Sequence, residues 1–209
     1  MGHSCNFQHR GTHTGIMDTS VSFLDSLKDT SDEEAWQRLV GLYSPLIHGW
    51  LKRHGAAPGD LDDVCQEVLT VVFRRFPEFR REPRAGAFRT WLRTITVYCV
   101  RDHWRKKNRQ AKGIGGSDFG EVIAQLEDPE SGLSAQWNRD HDRHVLQYLL
   151  DEVRPSFTDN TWQAFQRFAL DGLSADEVSQ ELGISVNAVF VAKSRILSRL
   201  RHRGQGLIE

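Results

Sequence analysis

Residues 173–203 read LSADEVSQELGISVNAVFVAKSRILSRLRHR, and this stretch decides the fold at the carboxyl-terminal end of the chain. Ser174 followed by Glu177 has the spacing of a capping box, so a helix is expected to begin directly after Ser174. Gly183 supplies the left-handed residue that ends this helix, and Ser185 is the N-cap of another. The stretch therefore predicts two short helices joined by a tight turn.

The second of these helices separates apolar from basic residues. Val189, Ile196 and Leu200 form one apolar stripe. No acidic residue occurs in 183–205, whereas the basic residues of this segment are Lys193, Arg195, Arg199, Arg201 and Arg203. A helix with charge of one sign is suited to lie against phosphates, so the pair predicts a helix-turn-helix reader of DNA. The alternative is an ordinary helical hairpin whose basic face is solvated.

The composition is that of a soluble globular protein. The chain has 209 residues, of which 39% are hydrophobic and 26% charged, enough for one medium domain or two small ones. No stretch approaches the run of about 20 apolar residues that a membrane span needs, and the start lacks the apolar core of a secretory signal. We therefore expect a cytoplasmic protein without direct membrane insertion. Cys65 and Cys99 fall in predicted helices, so reduced core thiols are expected rather than disulfides.

The net charge of −1 hides a segregation of charge along the chain. Residues 101–112 contain six bases and one acid, whereas residues 117–152 contain nine acids and two bases. Because salt screens charges over about 8 to 10 Å, local potential matters more than net charge. Two basic regions separated by an acidic segment can still hold DNA at two places.

Three amphipathic helices are predicted in the first half of the chain, at about 32–53, 61–76 and 87–108. Pro45 is expected to kink or divide the first. The second should begin with an acidic turn and bury Val64, Val68, Leu69, Val72, Phe73 and Phe76. The third should bury Phe88, Trp91, Leu92, Ile95 and Cys99, and should turn to another face Arg89, Arg93, Val97, Arg101 and Arg105.

The chain then breaks its helical pattern at KGIGGSD, residues 112–118, which opens an acidic, Pro-containing stretch. We interpret this stretch as a flexible linker with one short helix near 121–126. Two further helices are expected at about 137–152 and 158–171. No strand is predicted anywhere.

The predicted fold class is all-α, with two small helical domains joined by an acidic flexible linker and a carboxyl-terminal helix-turn-helix. The expected divisions are a disordered leader at 1–17, an N-terminal helical domain at 18–112, the linker at 113–133 and the C-terminal domain at 134–209. The leader holds His3 and Cys5 but lacks the paired ligand spacings of structural zinc sites.

Signatures of catalysis are missing from the sequence: it has no Gly-Lys-Ser phosphate loop, no paired CxxC, no HExxH and no nucleophile elbow. We therefore expect no enzyme activity, no catalytic residue, no metal and no cofactor.

Three segments together resemble bacterial RNA polymerase sigma factors of the extracytoplasmic-function group. They are DDVCQEVLTVVFRRFPEF at 62–79, FRTWLRTITVYCVRDHWRKK at 88–107, and LSADEVSQELGISVNAVFVAKSRILSRLR at 173–201. The most specific part is a D-x-x-Q-E core at Asp63, Gln66 and Glu67, followed by F-R-x-W-L at 88–92. With their connecting segments, these stretches cover most of 32–203.

The resemblance implies a protein that binds core RNA polymerase, directs it to particular promoters and assists promoter opening. The implied partners are the beta-prime and beta subunits of the polymerase and promoter DNA, with an anti-sigma factor as a further candidate. The implied polymerase-binding residues are Asp62, Asp63, Gln66 and Glu67. These would meet basic and polar side chains of the beta-prime coiled coil, which gives orientation more than affinity. Alternatively, the acids only stabilise the start of their own helix.

The first domain of such proteins reads the melted minus-ten element. Unpaired bases need stacking planes together with phosphate ligands. The candidate residues here are Arg80, Arg81, Arg84, Arg89, Arg93, Tyr98, Arg101, Trp104, Arg105 and Lys106. Phe88 and Trp91 are expected in the core instead.

The terminal domain would read the duplex minus-thirty-five element through Ser185, Asn187, Phe190, Lys193, Ser194, Arg195 and Arg199. Asn187 can pair with adenine and Phe190 can pack on a thymine methyl group, with Arg195 and Arg199 on phosphates. The chain departs from the commoner family pattern, which has Lys-Ser-Arg where Phe190, Val191 and Ala192 stand. The base contacts therefore stay open, and burial of Phe190 against the preceding helix is the alternative.

Two other functions remain open at this point: a helix-turn-helix regulator that acts without being a polymerase subunit, and a helical adaptor that binds only proteins. A regulatory hypothesis also follows from the charge blocks. The acidic linker would occupy a basic groove of the protein until polymerase arrives.

Overall fold

Every regular element is helical in the computed structural model, which describes residues 23–80, 86–110, 117–205 and 207. The helices are α1 (Phe23–Ser26), α2 (Glu33–Arg53), α3 (Leu61–Arg75), α4 (Ala87–Gln110), α5 (Ser117–Glu127), α6 (Gly132–Val153), α7 (Asp159–Phe165), α8 (Ala175–Leu182) and α9 (Val186–Arg203). The all-α prediction is confirmed. Among these helices, none combines the length and apolar character required to span a membrane.

Helix α2 is continuous through Pro45, so the expectation that this residue divides it is wrong. The Asp32 carboxylate caps the helix by accepting from the Ala35 N–H at 3.0 Å. The apolar stripe that includes Leu39, Leu46 and Leu51 is buried on both sides of the proline. Packing along the whole stripe therefore compensates for the hydrogen bond that Pro45 cannot donate.

Helix α3 packs on both α2 and α4, with an aromatic cluster at the turn between α3 and α4. Phe76, Phe79, Phe88 and Trp91 lie with ring centroids 4.9 to 6.2 Å apart. Edge-to-face and tilted ring pairs of this kind stabilise a core beyond the area they bury. The cluster fixes the end of α3 against the start of α4.

The predicted faces of α3 and α4 need several corrections. Phe73 was expected inside but is 43% exposed. Arg93 and Val97 were expected on an outward face but are each only 5% exposed. They are buried because α4 contacts α3, α5 and α6 and so buries more of its circumference than a helix packed on one side. Trp91, expected in the core, is only partly buried.

The short helix predicted near 121–126 is present as α5, which is longer and packs on α4 and α6, so only the expected flexibility of this stretch is wrong. Ile123 and Leu126 of α5 are buried against neighbouring helices. The turn into α6 is fixed by two serines: Ser131 caps α6 by accepting from Ser134 N–H at 3.0 Å, and Ser134 Oγ donates to the Asp128 carbonyl at 2.6 Å. A short helical corner thus connects the two halves.

Helix α6 packs against both halves of the protein. It begins at Gly132, earlier than the predicted 137, and runs unbroken to Val153. Its first part carries Trp137, which packs edge-on against Trp50 of α2 at 5.3 Å. Its second part contacts α9, and one continuous buried cluster extends from Phe23 to Leu207. The predicted domain boundaries at 112 and 134 therefore lie within a shared core. The division of the chain into two domains stays a prediction.

The carboxyl-terminal helices have the bounds and caps that the sequence predicts. Ser174 accepts from the Glu177 N–H at 3.3 Å, and Ser174 N–H donates back to the Glu177 carboxylate at 2.7 Å. Gly183 has a φ of 63°, in the left-handed region. Ser185 caps α9 by accepting from the Ala188 N–H at 3.2 Å. The helix expected at 158–171 is instead α7 followed by a π-helical turn, Gln166–Leu170.

Candidate nucleic-acid and polymerase interfaces

The first half of α9 presents an open surface. Of the seven residues predicted to read the minus-thirty-five element, the exposed ones are Ser185, Asn187, Phe190, Ser194, Arg195 and Arg199. Lys193 is partly buried, with its ammonium 4.8 Å from the centre of the Phe168 ring. Since α8 supports the opposite face of α9 through Val178 and Val189, these side chains project from a fixed base.

Phe190 lies at the centre of this surface and is 50% exposed. The Phe168 ring packs edge-on against it, with the two ring centroids 5.3 Å apart. Phe168 belongs to the π-helical turn, so Phe190 is not buried against α8 as the alternative proposed. Half of the Phe190 ring is available to a ligand.

Arg195 and Arg199 are positioned for anion contact. They line an open groove together with Ser156, Ser198 and His202. Neither guanidinium pairs with a carboxylate in the described part of the chain. The ion pair that is nearest to them in sequence joins Arg203 to Glu152 at 3.4 Å. These two guanidinium groups can therefore bind phosphate without first breaking an ion pair of their own within the described residues.

The basic residues of α4 have a different environment, because most of them are already engaged. The Arg89 guanidinium contacts the Asp142 carboxylate of α6 at 2.5 Å. Arg101 pairs with Glu127 of α5. Arg105 and Trp104 also make contacts within the protein, and Trp104 is partly buried.

Lys106, at the far end of the same face, is also engaged. Its ammonium lies 2.7 Å from the Asp102 carboxylate and 3.9 Å from that of Glu67. Arg93 is buried, and burial, with repulsion from Arg89, lowers its pKa. Arg89, Arg101 and Lys106 of the predicted basic track are thus paired with the protein's own carboxylates, although Arg101 and Lys106 stay exposed, and Arg93 does not belong to the surface.

Two further members of the minus-ten set are exposed, and two cannot be placed. Arg80 is exposed, and Tyr98 is 55% exposed with the Arg75 guanidinium 5.7 Å from its ring centre. Arg81 and Arg84 lie outside the described residues. Arg75 was not predicted; its signal in the sequence is the pair of arginines directly before Phe76.

The four predicted polymerase-binding residues lie on two sides of α3. Asp62, whose side chain is 95% exposed, contacts His48 Nε2 at 3.1 Å and lines a groove between α2 and α3 together with Gln66. Glu67 is turned toward α4, where it approaches Lys106. Asp63 is exposed, four residues before Glu67 and so on its side of the helix.

The groove between α2 and α3 also contains apolar side chains that the sequence reading assigned elsewhere. Val40 and Phe73 are each 43% exposed and line it with Leu69. The spacing of Asp62, Gln66, Leu69 and Phe73 is that of one helix face, which was the signal available in the sequence. A face that combines a carboxylate, an amide and exposed apolar groups is suited to bind another protein.

A buried polar chain connects α2, α6 and α4. Tyr43 Oη lies 3.3 Å from His141 Nε2, and His141 Nδ1 lies 3.0 Å from Asp142, which also binds Arg89. Burial lowers the pKa of His141 although Asp142 opposes this. Burial also raises the pKa of Tyr43 well above its ordinary value. In the neutral state, His141 donates from Nδ1 to Asp142 and accepts at Nε2 from the Tyr43 hydroxyl.

His141 is therefore expected to make the protein less stable as the medium becomes mildly acidic. Because its folded pKa is below the ordinary value of 6.5, the unfolded chain binds the proton more readily, and stability falls as pH decreases from about 6.5 toward the folded pKa. Between pH 7 and about pH 5.5, the range in which histidines titrate, the melting temperature should fall less in His141→Gln than in the parent. Thermal unfolding at each pH measures this. Equal slopes for the parent and His141→Gln would contradict the assignment.

Comparison with known proteins identifies sequence relatives over most of this structure. Residues 39–110, from within α2 to the end of α4, match the family described as Sigma-70 region 2. The chain is 27% identical over 168 residues to the ferric citrate uptake sigma factor FecI of Escherichia coli, covering 79% of the chain and 89% of that protein. It is 27% identical over 174 residues to the ECF RNA polymerase sigma factor SigF of Caulobacter vibrioides, covering 82% and 87%. A shorter similarity, 25% over 75 residues covering 36% and 40%, is to the ECF RNA polymerase sigma factor RpoE of Cereibacter sphaeroides.

Proposed function

Because this chain is a sigma factor of the extracytoplasmic-function group, which directs RNA polymerase to initiate transcription, we propose a role for each of its surfaces. Helix α3 docks on core polymerase, α4 holds melted minus-ten DNA, and α9 reads the duplex minus-thirty-five element. The protein performs no catalytic step of its own, and it acts in the cytoplasm, where it meets core polymerase.

The observation that carries this proposal is the capped α8–α9 pair with an exposed, acid-free recognition surface. The first turns of α9 present Asn187 and Phe190 outward, where they can reach base edges in a major groove. Arg195 and Arg199 follow about one and a half and two and a half turns after Phe190, where phosphates flank the groove. Asn187 would pair with an adenine, and the free half of the Phe190 ring would pack against a thymine methyl group.

Melted minus-ten DNA is assigned to the face around Tyr98. Its exposed ring, with the Arg75 guanidinium beside it, offers a stacking plane for an unpaired base. Arg80, in the loop that follows α3, and Arg89, Arg101 and Lys106 on α4 would bind the phosphates of the strand. Trp104 would act as a wedge beside them only after its partly buried ring becomes free.

Docking on the beta-prime coiled coil is assigned to Asp62, Gln66 and the apolar groove beside them, with Asp63 and Glu67 at the margin toward α4. The exposed Phe73 would add apolar contact to the polar orientation that Asp62 provides. The beta subunit is a second partner of the assembled complex. An anti-sigma factor would compete for these same surfaces.

The docking assignment predicts that Asp62→Ala with Gln66→Ala weakens the binding of core polymerase about tenfold, equivalent to about 1.4 kcal/mol. Binding is measured by titrating labelled full-length protein with core polymerase, and function by single-round transcription from a genomic promoter library. The matched control is Glu33→Ala with Gln37→Ala, an exposed acid and glutamine four residues apart on α2. Equal affinity of the two double variants would remove α3 as the docking face, and absence of any polymerase-dependent transcript would remove the whole proposal.

A further inference from the structure

We propose that Phe168 is a positioning residue for base recognition, whose ring holds Phe190 and Lys193 of α9 in the orientation in which they reach the minus-thirty-five element. The inference rests on the proposed function, because it concerns two side chains of the surface assigned there to duplex DNA. It adds to that surface a residue from outside the α8–α9 pair.

One aromatic ring contacts both side chains. The Phe168 and Phe190 ring centroids lie 5.3 Å apart with their planes at 87°, and Lys193 Nζ lies 4.8 Å from the centre of the Phe168 ring. Phe190 and Lys193 are three residues apart, so they lie on neighbouring positions of one side of α9. Phe168 is itself partly buried, whereas half of the Phe190 ring is exposed. Phe168 therefore acts on DNA through its two neighbours.

Both contacts favour one geometry. An edge-on ring pair is preferred because the positive edge of one ring meets the negative face of the other. An ammonium group is attracted to the same negative face. Among the described residues Lys193 forms no ion pair, so the Phe168 ring is the neighbour that orients its charge. A lysine held in this way loses less side-chain freedom when it binds DNA than a freely rotating one does.

The position of Phe168 is fixed by the π-helical turn in which it lies. In this turn the Asp171 N–H donates to the Gln166 carbonyl, five residues earlier, at 2.9 Å. Arg167, directly before Phe168, contacts Asp171 at 3.4 Å and Glu181 of α8 at 3.0 Å. Turns of this kind are rare in helices and are frequent at functional sites. The turn is thus tied to α8, while Phe168 contacts α9.

The orientation of the two side chains decides which base pairs they select. In a major groove, a lysine donates to guanine O6 or N7, and a phenylalanine packs on a thymine methyl group. Asn187 carries neither a ring nor a charge, so it makes neither kind of contact with Phe168. We therefore expect Phe168 to affect the preferences given by Phe190 and Lys193 and to leave that given by Asn187 unchanged.

The first test removes the aromatic face of Phe168 and keeps an apolar side chain. Full-length Phe168→Leu protein is assembled with core polymerase, and its binding to a library of promoter variants is measured. The variants Phe190→Ala and Lys193→Gln identify the base pairs whose preference depends on those two residues. At these base pairs the preference of Phe168→Leu should fall about fivefold. At the base pair read by Asn187 it should stay within about twofold of the parent.

Two controls distinguish the ring from general packing. Phe168→Tyr keeps the aromatic face and should stay within about twofold of the parent at every base pair. Trp162→Leu removes another partly buried ring, which lies 5.3 Å from the Arg154 guanidinium, and should leave all base preferences unchanged. Circular dichroism checks the helical content of each variant. If Phe168→Leu unfolds, Phe168→Met, whose flexible side chain adapts to the same space, replaces it in both tests.

The second test asks whether the ring acts through Lys193. If it does, Phe168→Leu combined with Lys193→Gln should show the same preference as Lys193→Gln alone at the base pair that depends on Lys193. Two independent effects would multiply, and a product of the two single losses would overturn the inference.

Single-round transcription with the parent protein separates this inference from the proposed function. If the parent directs transcription and Phe168→Leu loses preference only at the base pairs that depend on Phe190 and Lys193, the positioning role is supported. If Phe168→Leu weakens binding to all library members equally, or keeps every preference, the positioning role is overturned while the proposed function stands. Failure of the parent to direct transcription would overturn both.

Discussion

Replacing Trp137 by alanine is expected to lower the free energy of unfolding by about 3–5 kcal/mol, the range for removing a large buried aromatic side chain. The indole is 1% exposed and packs edge-on against Trp50 at the contact of α6 with α2. Its removal would leave a cavity at the contact between the two halves of the chain. Chemical denaturation followed by circular dichroism measures the change.

Leu146→Ala is the control for this prediction, because Leu146 is on the same helix but 42% exposed. Its effect should stay within about 0.5 kcal/mol, as for surface substitutions in general. The continuous core also predicts that Trp137→Ala shifts one cooperative transition of the whole protein. A loss of unfolding free energy no larger than that of Leu146→Ala would contradict the shared core. Two separate unfolding transitions, of which only one shifts, would contradict it as well.

Replacing Asn187 by alanine is expected to cost about 1–3 kcal/mol of discrimination at one base pair of the minus-thirty-five element, the range for a lost bidentate contact. Asn187 is exposed in the first turn of α9, where side chains of a recognition helix reach base edges. The measurement is the binding of polymerase holoenzyme to a library of promoter variants. One position should lose its preference while the others keep theirs.

Two further variants distinguish base reading from general attraction. Arg195→Ala, assigned to a phosphate, should weaken binding to all library members by a similar factor and reduce the dependence on salt. Asn160→Ala, at an exposed position in the first turn of α7, should change neither. If Asn187→Ala leaves the sequence preferences unchanged, Asn187 does not read a base.

The helix ends of the carboxyl-terminal half were predictable because capping is local. The serine, glutamate and glycine signals at Ser174, Glu177 and Gly183 act within a few residues of one another, and the observed bounds agree with them. The exposure of Asn187 and Arg195 follows equally from helical spacing, since only one face of α9 is packed. No knowledge of the rest of the protein was needed for either prediction.

The burial of Arg93 and Val97 depended on information that helical spacing does not contain. A periodic stripe gives the direction of one packing partner, but α4 has three. The acidic stretch misled for a related reason: Ile123 and Leu126 are few among charged neighbours, and they became core residues because α4 and α6 surround them. Tertiary contact thus decided these positions against composition.

The residue types of the candidate site were predictable from the sequence, but the ion pairs that these residues make within the protein were not. The resemblance identified the arginines of α4 and the acids of α3, and the structure places Arg89 and Arg101 on acids from elsewhere in the chain. It also divides the docking set, with Asp62 at the apolar groove and Glu67 toward Lys106. Which charges meet across helices depends on the relative placement of those helices, which no spacing rule supplies.

The unbroken course of α6 has a mechanical consequence for promoter geometry. With 22 residues it is about 33 Å long, so a tilt of about 20° at its first turns would carry its far end through about 11 Å. That displacement corresponds to about three base pairs of duplex, at about 3.4 Å each. The strength of the contacts that hold the first turns of α6 would therefore set how much the spacing between promoter elements can vary while the holoenzyme still binds both.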